Sequence, residues 1–208
     1  MISETHNIDC MEYLKTCVDK QFDLAIVDPP YGSAERTGGT WATKYKKKII
    51  SWDVAPPKEY FTELFRVSKN QIIFGGNYFD LPPTRCFIVW EKLTISEKFS
   101  MAMCEYAWTS FFSNAKLFKY APQNSSRFHP TQKPVELYKW ILQNYAKKDD
   151  KILDTHLGSG SCRIAAYDIG FDFVGTEIDK EYFVKQEARF KEHCAQGSLF
   201  EFKGGMCV

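Results

Sequence analysis

The sequence predicts an α/β fold, a mostly parallel sheet with helices on both faces. Short apolar runs alternate with helix-period segments, the pattern of strands joined by crossover helices. Three of the apolar runs end in an acid, as strands do when they feed a crevice at one end of such a sheet. The length, 208 residues, suits one domain.

A helix is expected over Met11–Val18, then a buried strand over Phe22–Val27. The Gly-, Ser-, Thr- and Lys-rich stretch 32–51 reads as a loop. A helix over Glu59–Val67 and strands at Gln71–Phe74 and Cys86–Trp90 follow, with further strands at Met101–Thr109 and Lys116–Phe118. Residues 119–133 read as a second loop. Proline then opens the strongest helix, Pro134–Ala146, whose Leu137, Tyr138, Ile141, Leu142 and Tyr145 share one face. Strand Ile152–Leu153, helix Cys162–Ile169, strand Phe171–Thr176 and helix Glu181–His193 complete the pattern. Trp90 and Trp108 fall in strand-like runs and read as core, and His193 beside Cys194 reads as a helix end.

Hydrophobic residues at 44% and charged residues at 25% exclude disordered, collagen-like and disulfide-scaffold classes. No apolar run approaches the roughly 18 residues of a membrane span, and Met1–His6 lacks the features of a secretory signal. Aromatics at 16% suit stacking on flat ligands and a dense core equally. Seven cysteines without a CxxC pair, and four scattered histidines, show no zinc-ligand spacing, so no metal is expected and a reducing, cytoplasmic compartment is. The net charge is +1, but the distribution is uneven. Arg36, Lys44, Lys46, Lys47 and Lys48 form one acid-free basic stretch; Lys116, Lys119, Arg127 and Lys133 lie in another. These are either two solvated loops or a phosphate-binding face. Trp41 and Trp52 flank the first.

The three strand-end acids are Asp28, Asp154 and Glu177. Asp154 is followed by the glycine-rich turn Gly158-Ser159-Gly160-Ser161, and Glu177 lies 19 residues beyond Gly158, a spacing at which an acid can bind ribose hydroxyls. Arg163 stands where a dinucleotide fingerprint has its third glycine, which counts against a nicotinamide cofactor. A carboxylate beside the turn repels a pyrophosphate and welcomes an ammonium or sulfonium. Asp28-Pro29-Pro30-Tyr31 ends its strand abruptly, because proline fixes the backbone and offers no N–H. The Asp28 carboxylate and the Pro29 carbonyl are two acceptors for the hydrogens of an aromatic amino group, and Tyr31 offers a ring for stacking. A base treated this way must leave its duplex. Gly75-Gly76-Asn77-Tyr78-Phe79 reads equally as a wall of that pocket or as a plain turn.

On these residues the chain resembles the DNA amino-methyltransferases, which use S-adenosylmethionine to methylate adenine N6 or cytosine N4. Asp28–Tyr31 is similar to their catalytic motif, Asp154–Ser161 to their cofactor loop, His129–Pro134 to the segment before the helix beside the cofactor, and Phe173–Asp179 to the ribose-binding strand and turn. Ile8-Asp9-Cys10 resembles their opening element. The catalytic motif precedes the cofactor loop, as in the circularly permuted β group, whose members often dimerise. The resemblance implies a Rossmann-like S-adenosylmethionine-dependent methyltransferase fold spanning 1–208, double-stranded DNA as partner, and direct in-line transfer to a flipped base. It also admits a homodimer and a cognate restriction enzyme. It implies that Asp154, Gly158, Ser159, Gly160 and Ser161 hold the methionine part. Glu177 and Ile178 would belong to the ribose site, Asp9 and Cys10 to the adenine site, and Thr131 and Lys133 would reach the methionine carboxylate. Asp28, Pro29, Pro30 and Tyr31 would hold the base. DNA contacts are expected near 32–51 and 91–128, from Lys44, Lys46, Lys47, Lys48, Lys116, Lys119 and Arg127. Thr155 and His156 depart from the family's usual proline and phenylalanine, so the packing there differs. The aspartate opening the catalytic motif favours adenine N6. Cytosine N4, RNA, a protein glutamine or a silent DNA-binding homologue are the rival readings.

Overall fold

The computed structural model describes residues 1–32, 53–99, 101–122 and 127–203. Apart from Gly32 the loop read at 32–51, with Trp41, Lys44, Lys46, Lys47 and Lys48, lies outside the described residues, as does Trp52.

The chain runs β1 (Ser3–His6), α1 (Cys10–Thr16), β2 (Phe22–Val27), α2 (Lys58–Val67), β3 (Ser68–Phe74), a 3-10 turn (Gly76–Tyr78), β4 (Phe87–Lys92), β5 (Cys104–Thr109), β6 (Lys116–Tyr120), α3 (Val135–Tyr145), β7 (Lys151–Asp154), α4 (Ser161–Ile169), β8 (Asp172–Thr176) and α5 (Lys180–Lys203). Among the described residues the strands form one sheet, in the order β1-β8-β7-β2-β3-β5-β4-β6. Every neighbouring pair is parallel except β3–β5 and β5–β4. This is the mostly parallel α/β sheet that the alternating pattern predicts.

The two faces are dry for a reason visible in the strands. Successive side chains point to opposite sides, so a strand buried on both faces is apolar throughout. Leu24, Ile26, Ile72, Phe74, Ile88 and Trp90 pack against Leu137, Ile141 and Leu142 of α3 and Cys162, Ala165 and Ala166 of α4. Ala25, Val27, Ile73, Leu153 and Val174 pack on the other face against Leu14 of α1 and Tyr60, Phe61, Leu64 and Val67 of α2. Trp90 and Trp108 are both buried, as read.

Two features differ from the sequence reading. β1 carries no apolar run; it forms because Ser3–His6 pairs in register with Phe173–Thr176 at the sheet edge, a long-range contact without local signature. His193 does not end a helix: α5 continues to Lys203, and His193 Nε2 lies 2.5 Å from Asp168, whose other oxygen holds Lys139 at 2.6 Å. That pairing fastens α5 and α3 to α4.

The topology positions a site. From β2 the chain proceeds to β3 on one side, and from β7 to β8 on the other, so β2 and β7 flank the point where strand order reverses. Open α/β sheets bind ligands in the crevice at the carboxyl ends of such strands. Asp28 follows β2, Asp154 ends β7 and Glu177 follows β8. Because Ile72 is fully buried at the centre of the sheet, Ile72→Ala is expected to lower unfolding free energy by about 2–5 kcal/mol, read from the urea midpoint at unchanged slope.

Candidate active site

The turn after β7 is built for close backbone approach. Gly158 (φ +50°) and Gly160 (φ +73°) are left-handed, and a Cβ on Gly158 would sit 3.3 Å from the His129 ring. Gly158 N–H donates to Glu177 Oε2 at 2.8 Å, and Asp179 N–H donates to Glu177 Oε1 at 2.9 Å, so the turn and the β8 acid share one framework. Ser159 and Ser161 are buried; their hydroxyls lie 3.1 Å apart, and Arg189 of α5 donates to the Ser159 carbonyl and the Ser161 hydroxyl. Arg163, at the third-glycine position, donates to Ser3, Gln186 and Glu187, binding α4 to α5 and β1.

Asp154 is 3% exposed, and its Oδ1 accepts from His156 N–H at 3.0 Å. Burial, with the neighbouring Asp28 and Glu177 carboxylates, pushes its carboxyl up to about 7. Burial likewise raises Glu177. The three strand-end acids lie near one another at the ends of β2, β7 and β8, and the two raised carboxyls disfavour further negative charge there.

The departures at 155 and 156 are absorbed by hydrogen bonds. Thr155 Oγ1 lies 2.6 Å from Tyr60 Oη and 2.9 Å from His156 Nδ1, while the Thr155 carbonyl accepts from Thr176. The His156 ring meets Tyr60 edge-on at 5.4 Å, and burial pushes its pKa down to about 4, so it is a neutral ring at pH 7. Tyr60, a core residue of α2, thus also supports the turn.

Asp9 is the N-cap of α1, its Oδ1 accepting from Met11 and Glu12 N–H groups. Cys10 beside it is held as a thiol: burial first, then the Asp9 charge, push it up to about 12, which disqualifies it as a nucleophile at neutral pH. Thr131 and Ile178 are exposed, and Thr131 contacts His129 Nδ1.

The Asp28–Tyr31 element is held on several sides. Tyr31 Oη donates to Asp28 Oδ1 at 2.7 Å. Tyr31 N–H and Gly32 N–H both donate to Asp53 Oδ1 at 3.0 Å. Lys133 Nζ donates to Asp28 Oδ2 and lies 3.1 Å from Glu105 Oε2. Lys133 faces the Asp28 carboxylate: the buried ammonium, 3% exposed, needs a counter-charge, and Asp28 is within reach. Tyr31 is also not an open face. Tyr78 stacks on it at 4.9 Å and 15°, and Gly75 has no room for a Cβ, which would lie 2.2 Å from the Tyr31 ring. Gly75–Phe79 is thus a wall beside Tyr31.

Of the basic residues expected at DNA, the three described ones are engaged within the chain. Lys116 donates to Asn144, Lys119 pairs with Glu91 at 2.9 Å, and Arg127 donates to the His129 and Pro130 carbonyls. Asp53, Glu105 and Lys92 escaped the sequence reading. Of these only Glu105 carried a signal, an acid sharing its strand face with buried Ala107.

The DNA methylase family model for N6 and N4 enzymes matches residues 85–187. YubD of Escherichia coli (strain K12) is 25% identical over 84% of this chain and 84% of its own length. "Type II methyltransferase M2.MboI" of Moraxella bovis is 26% identical over 69% of this chain, which spans 49% of that protein. "Type II methyltransferase M2.LlaDCHI" of Lactococcus lactis subsp. cremoris is 35% identical over 33% of this chain and 26% of that protein. The solved M1.HpyAVI–SAM complex shares the fold with a TM-score of 0.61 at 20% identity, covering 91% of this chain and 98% of that one. The cytosine-N4-specific PvuII DNA methyltransferase does so at 0.60 and 13%, covering 89% and 85%. The fold is that of S-adenosylmethionine-dependent methyltransferases. The match over residues 85–187 and the curated methyltransferase relatives support the DNA amino-methyltransferase family that acts on adenine N6 and cytosine N4, whose methyl donor is S-adenosylmethionine.

The pocket fits that donor. A nine-tenths-buried carboxylate beside a two-glycine turn, with two further acids, suits a sulfonium and an amino group and opposes a pyrophosphate. The raised Asp154 carboxyl sets a pH signature. In the unfolded chain it titrates near 3.8 and in the fold near 7, so between these values the native state binds the extra proton and stability falls as pH rises. Asp154→Asn is expected to remove this fall: thermal unfolding of the unliganded protein between pH 4.5 and 7 shows a steeper loss in the parent than in the variant.

Proposed function

We propose that the protein methylates adenine N6 in double-stranded DNA. The observation carrying this reading is the Asp28 carboxylate fixed at the switch point of the sheet, one strand from the Asp154 turn. When bound, S-adenosylmethionine supplies an electrophilic methyl carbon on a sulfonium. Asp154 and the Gly158–Ser161 turn hold its methionine part. Glu177 holds the ribose, with Asp9 and Cys10 at the adenine. Asp28 accepts one amino hydrogen of a flipped base and the Pro29 carbonyl the other. This would draw the nitrogen lone pair out of the ring and make the nitrogen a better methyl acceptor. A carboxylate has about four acceptor sites, so the Tyr31 and Lys133 donors leave capacity for the base. The Tyr31–Tyr78 pair is the aromatic surface the base meets. Rate arises from positioning and fixed charge. The Asp opening of the catalytic motif supports adenine over cytosine, which is the second reading because the family and its structural neighbours include an N4 enzyme.

Labelled S-adenosylmethionine, unmethylated DNA and nucleoside mass spectrometry test this. N6-methyladenine is expected; N4-methylcytosine would overturn the base, and unlabelled DNA would overturn the reaction. Asp28→Ala is expected to lower transfer at least about 100-fold while cofactor affinity stays within a few-fold in calorimetry. Lys46, Lys47 and Lys48 are proposed to meet phosphates. Their joint replacement by Ala is expected to weaken DNA binding and shallow the plot of log affinity against log salt, by up to about three phosphate contacts.

A further inference from the structure

Beyond the Asp28 pair, charge alternates along a chain of side chains reaching the far strands of the sheet. Glu105 of β5 stands opposite Trp90 of β4, and Lys92 follows two residues on, so Glu105 and Lys92 share a sheet face. Phe74, the last residue of β3, pairs with Ala107, two residues from Glu105. β4 and β5 therefore extend past the end of β3 and carry this pair beyond the rim of the crevice. Lys92 Nζ lies 2.6 Å from Glu105 Oε1; Glu105 Oε2 lies 3.1 Å from Lys133 Nζ, which sits 4.6 Å over the Phe74 ring and donates to Asp28. Lys133 and Lys92 are 3% and 8% exposed. Glu105 Oε2 is fully buried, and Lys133 is the cation beside it.

We propose that Glu105, backed by Lys92, is a positioning residue for methyl transfer: it holds Lys133 as a fixed ammonium, which in turn holds the Asp28 carboxylate in place for the target amino group. The proposal rests on the methyltransferase reading above. The order Asp28–Lys133–Glu105–Lys92 is neutral overall, so each buried charge has an opposite neighbour, and removing one partner leaves another uncompensated. Both neighbours of Glu105 pull its carboxyl down to about 2 despite burial, and Asp28 with Glu105 raise Lys133 against its own burial. Other groups near the ammonium are Asp154 at the end of β7, Tyr31 on Asp28, and the Tyr138 phenol of α3. Removing the Glu105 charge leaves burial less opposed, so Lys133 loses its proton at a lower pH.

The test uses the full chain with lysines labelled at ¹³Cε and ¹⁵Nζ, Lys133→Arg assigning the Lys133 signal. Glu105→Gln and the charge-balanced Glu105→Gln/Lys92→Met are compared with the parent. The double variant keeps the cluster neutral, so it remains informative if the single variant does not fold. In the variants Lys133 is expected to titrate lower by about one pH unit or more. The kcat is expected to fall roughly tenfold or more, with cofactor Kd within threefold. An alkaline limb in kcat should coincide with the Lys133 titration, and Glu105→Asp should restore part of the rate. A folded double variant whose Lys133 titration matches the parent overturns the proposal, as does one whose kcat and pH profile match it. A parent that labels no DNA while the Lys133 midpoint still moves would overturn the methyltransferase reading and leave the hold of Glu105 on Lys133 standing. An active parent with an unmoved midpoint would do the reverse.

Discussion

The ion pair between Lys133 and Asp28 joins segments 105 residues apart and sets the geometry of the crevice. Asp28 arrives on β2, in the parallel half of the sheet; Lys133 arrives just before α3, which packs on the sheet face. An ammonium at 3% exposure cannot remain charged without partners, so the chain before α3 must lie across the ends of β2 and β3. The Tyr31 hydroxyl fixes the other Asp28 oxygen, and Asp53 fixes the backbone beyond it. A carboxylate tied at both oxygens has few orientations left, which is the pre-organisation a positioned acceptor requires.

The second half of the crevice has the opposite electrostatic character. Asp154 has one backbone donor and two carboxylate neighbours, and with its carboxyl pushed up to about 7 it is partly protonated at neutral pH. Asp28, tied by a lysine, and Asp154, crowded by acids, are adjacent strand ends with divergent environments. A cationic ligand relieves the crowding at Asp154. An anionic one intensifies it. The chemistry of the pocket thus agrees with the family's sulfonium donor on grounds independent of any sequence match.

Departures from the family pattern are local and compensated. Thr155 and His156 replace an imino acid and an apolar ring with polar groups, and the Thr155 hydroxyl meets both Tyr60 and His156. Arg163, which counts against a dinucleotide fingerprint, serves instead as the tie between α4, α5 and β1. Substitutions of this kind persist when their donors and acceptors are satisfied inside the fold.

Much of the fold was legible because it is locally encoded. Apolar runs specified β2, β3 and β4 to within a few residues. The one-sided face of Leu137, Tyr138, Ile141, Leu142 and Tyr145 specified α3, and all five are buried. The strand-end acids and the glycines at 158 and 160 were legible for the same reason: strand termination and positive φ are properties of adjacent residues. Tertiary structure alone decided what those residues touch. β1 exists through its pairing with β8, and Tyr31 meets Tyr78 through the turn after β3. Lys133 meets Asp28, and Glu105 and Lys92 join it from strands beyond β3. Periodicity reports which face of an element is apolar, whereas the partner of a buried charge depends on which distant segment the packed sheet brings within a few ångströms.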